Sequence, residues 1–428
     1  MPDPTPAGPA GAPSAPSAAA LQGSHSGPPA VLERIAGATF LLFVATLPWS
    51  IAPMSIGVVL CGALTLAAWW APGGARWVRT PVDLPALGWI LALGLATITA
   101  LDPAGSAPRV MKGVLFAIVP LAAYHAREER AGRRAVAVLL VSALGATAFA
   151  LAKFAAIGPA FPNRVRGAVG HPLTYGGQAL LLGAVAFALA LRVRSRGIRA
   201  AAIALVALLL PALVGSFTRS AWIGFVLAAA IIVARTRARW LLALLAVVTV
   251  TAAALPGWYH ERVLSFVNPR NEWNVERVHM WRAGARIFRD RPATGIGLED
   301  LHPIYDRYKD PDAKERVGHL HSVWVQVAAT MGVVGLLALI GLLTGLGRAA
   351  AAGLGRALRA PPAGDGLAVA LRLGVAAALA GFILAGFFEW NLGDEELVDL
   401  LCVLVGVAFA ASRWGGEAGG RQSFGASA

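Results

Sequence analysis

About twelve apolar blocks, separated by short polar breaks, run through most of this chain. A block of roughly 18 or more apolar residues can cross a bilayer as a helix, where every backbone group must find its partner within the protein. Charged residues make up 14% of the chain and hydrophobic residues 57%. Soluble proteins keep about a quarter of their residues charged to hold their surface in water. The pattern therefore excludes a soluble globular protein. It predicts an all-α integral membrane protein with about 12 transmembrane helices.

The predicted spans are Ile35–Ser50, Ile51–Trp70, Leu84–Leu101, Val110–His125, Ala135–Ile157, Leu173–Leu191, Ala200–Gly215, Ala221–Ala234 and Trp240–Leu255, then Ser322–Leu346, Leu367–Phe388 and Leu397–Ala411. Arginines gather in alternate breaks: Arg76 and Arg79, Arg127 to Arg134, Arg192 to Arg199, Arg235 to Arg239, and Arg348 to Arg359. Lys and Arg are retained on the cytoplasmic side. These loops and both termini are thus expected in the cytoplasm, and the remaining loops face outward. The net charge of +14 follows this loop pattern, so it points to membrane lipids and not to nucleic acid.

The chain divides into a disordered cytoplasmic tail (1–30), transmembrane helices 1–9 (31–255), a large outer loop (256–321), transmembrane helices 10–12 (322–411) and a second cytoplasmic tail (412–428). The first tail is Pro-, Ala-, Gly- and Ser-rich without Lys or Arg, so it lacks the basic start of a signal peptide. Cys61 and Cys402 fall inside apolar blocks and read as small core residues. The large loop carries Trp258, Tyr259, Trp273, Trp281, Phe288, Tyr305 and Tyr308, too many aromatics for disorder. It reads as a folded, helical outer lid.

Outward-facing cations break the orientation pattern and are candidates for function. They are Arg109 and Lys112, Lys153, Arg164 and Arg166, Arg219, and several in the lid. Cations collected on one outer face suit an anionic headgroup, phosphate above all. Within the lid, Glu276 to Asp290 reads as an amphipathic helix. Its apolar stripe is Val278, Trp281, Ala285 and Phe288, and its basic face is Arg282, Arg286 and Arg289. Arg277 projects from the edge of the stripe with no carboxylate on that face, so a bound anion could be its partner; alternatively, being at the helix start, it bends to water.

The lid ends at His319-Leu320-His321-Ser322. A boundary histidine, with an ordinary pKa near 6.5, can accept a proton at working pH. A metal site built from His302, His319 and His321 is not expected, because His319 and His321 would point to different helix faces and no ligand spacing is present. The acidic stretch Glu389, Asp394, Glu395 and Glu396 reads as a solvated turn that could alternatively meet acceptor hydroxyls or orient a base. Gly170-His171-Pro172-Leu173-Thr174-Tyr175-Gly176 marks an outer helix start. Gly332 and Gly335 read as helix-packing glycines without a chemical role.

Three motifs resemble the O-antigen ligase and polymerase superfamily. His321-Ser322 is followed after nine residues by Gly332 and then Val333-Val334-Gly335-Leu336-Leu337. Arg277-x-x-x-Trp281 leads into Pro292-x-x-Gly295-Ile296-Gly297, and Ser216-Phe217-Thr218-Arg219-Ser220-Ala221-Trp222 resembles the second arginine motif of the family. The lid between helices 9 and 10 resembles the ligase branch. The resemblance implies a membrane glycosyltransferase (GT-C-like) fold in the bacterial inner membrane, with a periplasmic lid and active site. It implies inverting transfer, without metal or other cofactor, of a glycan from an undecaprenyl-diphosphate carrier to lipid A–core. On that resemblance His321 is the general base, and Arg219 and Arg277 clamp the diphosphate. Lys153, Arg164 and Arg166 are further substrate-binding candidates, and His319 is the alternative base.

Two sibling activities share these motifs: the O-antigen polymerase, and transfer of the glycan to a protein serine. A lipid-linked glycan transporter is the alternative from another class. Transporters place their sites at broken helices in repeated halves, whereas this chain shows no repeat and gathers its charges at one boundary.

Overall fold

The computed structural model describes residues 28–71, 77–158, 162–254, 257, 264–265, 268–361 and 364–414. Most of both predicted tails, and the lid aromatics Trp258 and Tyr259, lie outside the described residues. Among those described, the chain is helical and contains no strand. Helices α1 (Pro28–Thr46), α2 (Ile51–Trp70) and α3 (Asp83–Ile98) come first. A composite rod follows, made of α4 (Pro103–Val110), a 3-10 stretch (Met111–Ala117) and α5 (Ile118–His125). Next are α6 (Glu129–Ile157), α7 (Pro172–Arg192), α8 (Arg196–Gly215), α9 (Arg219–Arg237) and α10 (Leu241–Ala254). The lid contributes α11 (Glu272–Asp290) and α12 (His302–Tyr308). The chain then returns through α13 (Val323–Ala350), α14 (Leu354–Arg359), α15 (Leu367–Ala385) and α16 (Glu395–Ala411).

Each of the twelve predicted apolar blocks is thus a helix. Among the described residues, seven helical stretches are long and apolar enough to cross a membrane: α2, the composite rod, α6, α7, α8, the stretch Val323–Arg359 and α15. The chain is a multi-pass membrane protein. The rod is broken because Pro108 and Pro120 lack the N–H that an α-helix needs, and the chain tightens into 3-10 geometry between them.

Helices α7 and α16 are buried along nearly their whole length and form the centre of the bundle. Helix α15 packs on α7 and α9, while α16 packs on α5. Where α9 crosses α15, a β-carbon at Gly224 would sit 2.6 Å from the Gly381 carbonyl oxygen, so the two backbones touch directly. Close backbone approach is how helices associate where no water drives them together. The outer flanks of α2 and α10 present Val59, Leu66, Leu242 and Leu245 outward. One end of the bundle is tied by Arg133, which reaches Asp365 at 2.7 Å and Glu129, and by Trp414, whose indole donates to the Ala126 carbonyl.

The lid has its own core, built from Met280, Ala283, Ile287, Ile304, Tyr305 and Leu320. The buried face of α11 is therefore Glu276, His279, Met280, Ala283, Gly284 and Ile287, not the predicted Val278, Trp281, Ala285 and Phe288 stripe. The reason is polar satisfaction. Glu276 accepts the N–H groups of Lys314 and Glu315, and His279 pairs with Asp310 at 2.7 Å, so two hydrophilic residues can be buried. Asp310 also receives Arg282 and Arg286, so the predicted basic face is partly turned back into the lid.

Helix α13 breaks at Gly332, whose φ of 62° and ψ of −154° belong to a region that only glycine adopts freely. The break exposes backbone groups that the lid segment 292–297 takes up. Ile296 N–H donates to Ala329 O and Gly297 N–H to Thr330 O, while Val333 N–H donates to Pro292 O and Val334 N–H to Ala293 O. Gly295 fits only without a side chain, since a β-carbon there would lie 2.3 Å from the Thr330 carbonyl carbon. Gly332 is thus a docking break and not the helix-packing residue expected. Gly332→Ala is expected to cost at least ~1–3 kcal/mol from backbone strain and to release the loop. Faster amide exchange over 292–297 would report it, and Gly341→Ala, on the same helix with open space around it, should leave exchange unchanged.

Candidate functional site

His321 stands between a buried leucine and a helix cap. Leu320 is fully buried in the lid core and donates its N–H to Gln326, while Ser322 caps α13 by accepting from Val325 N–H. This pins His321 at a φ of 45°, unusual for a residue with a side chain. Strain of this kind costs about 1–3 kcal/mol and persists where the surroundings over-determine it. The second such residue is Phe217 at 52°, in the turn that delivers Arg219 to the start of α9.

The imidazole Nδ1 of His321 lies 2.8 Å from Oε1 of Glu389. That carboxylate side chain is 8% exposed and also accepts the Trp390 N–H. Its other oxygen meets Arg277 at 3.4 Å, and Arg277 donates as well to the Phe388 carbonyl. Burial alone would push the Glu389 carboxyl up, but the hydrogen bond and charge of His321 and the charge of Arg277 outweigh it. They hold the group below the usual carboxylate range. The expectation of an anion as the partner of Arg277 is corrected here, because Glu389 fills that role. The expectation that Glu389 belongs to a solvated turn is corrected with it. The partner comes from the loop after α15, more than a hundred residues away, which a helical-wheel argument confined to the lid could not see.

His319 lies against His321, with ring centroids 4.2 Å apart and the rings tilted at 57°. The two histidines precede α13, so the argument that placed them on different helix faces does not hold. His319, His321 and Glu389 bring ligand-type atoms within 4.8 Å of one another. This set could hold a metal ion, although the Glu389 oxygens are already engaged by Arg277, His321 and Trp390. Burial pulls the His319 imidazole down to about 4, with the neighbouring charge of His321 adding to the effect.

Arg164 joins this cluster from the loop before α7. It donates to Ser216 O at 2.8 Å and to Thr218 Oγ1 at 3.3 Å, thereby bracing the Phe217 turn. Burial lowers Arg164 to about 10, with Glu389 opposing, so the guanidinium stays cationic at neutral pH. Arg166 is exposed and close enough that its charge depresses Arg164. His171, at the N-cap of α7, is lowered first by burial and then by Arg164, Arg166 and His321, while Glu389 opposes. Arg219 reaches the lid through Ser265 at 3.0 Å and Asn274 at 2.9 Å, three residues before Arg277 on α11. Lys153 is exposed on α6, and no hydrogen bond or ion pair among the described residues joins it to the cluster. His302 pairs with Asp300 at 2.7 Å and is close enough for its charge to add to the lowering of His319.

Two acidic residues flank the site. Asp394 accepts from Thr174 at 3.0 Å and is raised to about 6, chiefly by burial. Lys112 reaches Gly393 O at 3.1 Å and Glu395 at 3.4 Å. In the sequence this acidic loop reads first as a solvated turn. The available signal was a single carboxylate set among Phe387, Phe388 and Trp390.

The arrangement couples a proton acceptor to a buried carboxylate amid several cations. A comparison with known families matches residues 204–340 to O-antigen ligase. No curated protein matches the chain. The matched stretch carries Arg219, Arg277, His319, His321 and Gly332, and stops before Glu389.

Proposed function

From the O-antigen ligase domain at residues 204–340, which implies a glycan-transferring enzyme, ligase or polymerase, acting on lipid-linked glycans, we propose that this chain is an O-antigen ligase. It moves a glycan from an undecaprenyl-diphosphate carrier to lipid A–core at the periplasmic face of a bacterial inner membrane. The reading includes twelve spans in a GT-C-like bundle, both termini in the cytoplasm and the lid in the periplasm. The alternating arginine-rich loops support that orientation.

One observation carries the mechanism: the Nδ1 hydrogen bond from His321 to an ionised, buried Glu389. The carboxylate accepts a hydrogen bond from Nδ1–H, which fixes the tautomer and leaves the Nε2 lone pair free. Nε2 accepts the proton of an acceptor hydroxyl as that oxygen attacks the anomeric carbon from the face opposite the leaving group. The new C–O bond forms, the sugar–diphosphate C–O bond breaks, and the carrier departs as its diphosphate. Arg219 and Arg277 meet the charge that develops on the leaving oxygens, and guanidinium forks suit phosphate. The described contacts of Arg277 use two of the five N–H groups of its side chain. Arg164 and Arg166 extend this field towards the carrier headgroup, with Lys153 a more distant contributor. His319, pulled down to about 4, is a weak proton acceptor at neutral pH, which favours His321 as the base. The cations do the work a metal would otherwise do, so the transfer is proposed to be metal-independent.

The test is complementation. In a ligase-deficient host the chain is expected to restore polymer-capped lipopolysaccharide. Growth of chain length in a polymerase-deficient host, with no capping in the first, would replace this reading by the polymerase.

A further inference from the structure

A cavity lies near the His321 loop, bordered by Gly318 and Trp390, at the junction of α3, α4 and the 3-10 stretch after it, the lid loop and α13. Its volume is about 140 Å³, and its walls include Trp89, Trp390, Arg109, Lys112, Glu299 and Gln326. A cavity of about 150 Å³ accommodates one six-membered ring. Glu299 is 8% exposed. Its Oε2 accepts from Ser106 at 2.8 Å, but its Oε1 is buried with no hydrogen-bond partner among the described residues. A buried carboxylate oxygen left without a donor is costly, and a ligand hydroxyl would satisfy it. Gln326 links this wall to the catalytic loop, since its amide oxygen holds Leu320 N–H between the two histidines.

We propose that this cavity is the acceptor subsite, and that it takes one hydroxyl-rich sugar ring carrying an anionic substituent such as phosphate. This rests on the glycan-transfer reading above. The cations assigned to the diphosphate come from the α7–α9 end and the lid helix, whereas this cavity is built from other elements. In an inverting displacement the nucleophile and the leaving group occupy opposite faces of the sugar, so a cavity next to the base but built apart from the diphosphate cations suits the acceptor. The indoles of Trp89 and Trp390 offer apolar faces to a ring, and Glu299 receives one of its hydroxyls. Arg109 and Lys112 supply positive charge. Among the described residues Arg109 makes one hydrogen bond, to Gly105 O at 2.8 Å within its own helix, and Lys112 is 45% exposed.

Full-length protein in nanodiscs would be assayed with purified carrier-linked donor and with lipid A–core, either intact or phosphatase-treated. Glu299→Gln is expected to raise the acceptor KM about tenfold or more, the effect of losing one hydrogen bond to a charged group. The donor KM should stay within about twofold. Lys112→Gln, an exposed change that should fold normally, is expected to shrink the preference for the phosphorylated acceptor. An unchanged acceptor KM in both variants, or a rise in donor KM instead, overturns the subsite while leaving the ligase reading intact. Should the wild type use carrier-linked glycan and not lipid A–core, the ligase reading fails and the subsite is judged on the KM for that acceptor. With no turnover at all, native mass spectrometry of phosphorylated core oligosaccharide decides. Wild-type binding that both variants weaken supports the subsite, and absent or unaltered binding rejects it.

Discussion

His321→Ala is expected to abolish glycan transfer in the purified, full-length protein while leaving carrier-diphosphate binding within about twofold. The acceptor hydroxyl is a poor nucleophile until its proton has somewhere to go. A positioned base typically contributes about 10²–10⁴-fold to such a step. The imidazole makes its described hydrogen bond through Nδ1 to Glu389, so removing it deletes the acceptor of the proton but none of the cations proposed to hold the diphosphate. Binding and turnover should therefore separate, which a general loss of folding could not produce. Running the wild-type assay in EDTA checks the metal question together with this one. Undiminished transfer is expected, and loss of activity restored by a divalent ion would turn attention to the His319, His321 and Glu389 set. If His321→Ala transfers glycan at a near wild-type rate, the assignment of the base is wrong.

Glu389→Gln is expected to lower kcat by about 10²–10⁴-fold, with the donor KM changed far less. An amide in place of the carboxylate can present its NH₂ to Nδ1 and so favour the wrong tautomer. A comparable carboxylate-to-amide change beside a catalytic histidine in serine proteases costs about 10⁴ in kcat. The amide also loses the negative charge that stabilises the imidazolium formed in the reaction. Glu389→Ala should be worse for a separate reason. It leaves the buried end of Arg277 with no side-chain acceptor at all, whereas the amide oxygen of Gln can still accept from it, and breaking a buried ion pair from one side costs up to about 3–5 kcal/mol. Comparing thermal stability with kcat in the two variants separates the roles: Gln, which keeps an oxygen acceptor for Arg277 but not the charge, should cut turnover with the smaller loss of stability, and Ala should lower both further. Wild-type turnover in Glu389→Gln would mean that the 2.8 Å contact is structural only.

The membrane character was legible because hydropathy is a local property. The block Ile51–Trp70 was placed to the residue, and the other blocks were placed to within a few residues except where helix extends further towards the N-terminus, to Pro28 in α1, Pro103 in α4 and Glu129 in α6. The Arg219, Arg277 and His321 motifs were legible for a related reason, since each is a short run with a recognisable neighbourhood. The lid helix was found, but its buried face was misjudged. Burial of Glu276 and His279 depends on amides and a carboxylate supplied by residues 310–315, and no periodicity encodes those partners.

What the sequence determined alone is therefore the solvent of each segment: apolar runs long enough for lipid, breaks rich in arginine, and a polar lid with histidines at its end. Tertiary structure decided which groups face one another. It brought Glu389 from the loop after α15 to His321, set Arg164 against the Phe217 turn, and inserted the 292–297 backbone into the break at Gly332. Hydropathy acts on each residue through its own transfer energy, so it can be read along the chain. A hydrogen bond or an ion pair needs two partners at a fixed distance, and only the folded packing of the helices sets that distance.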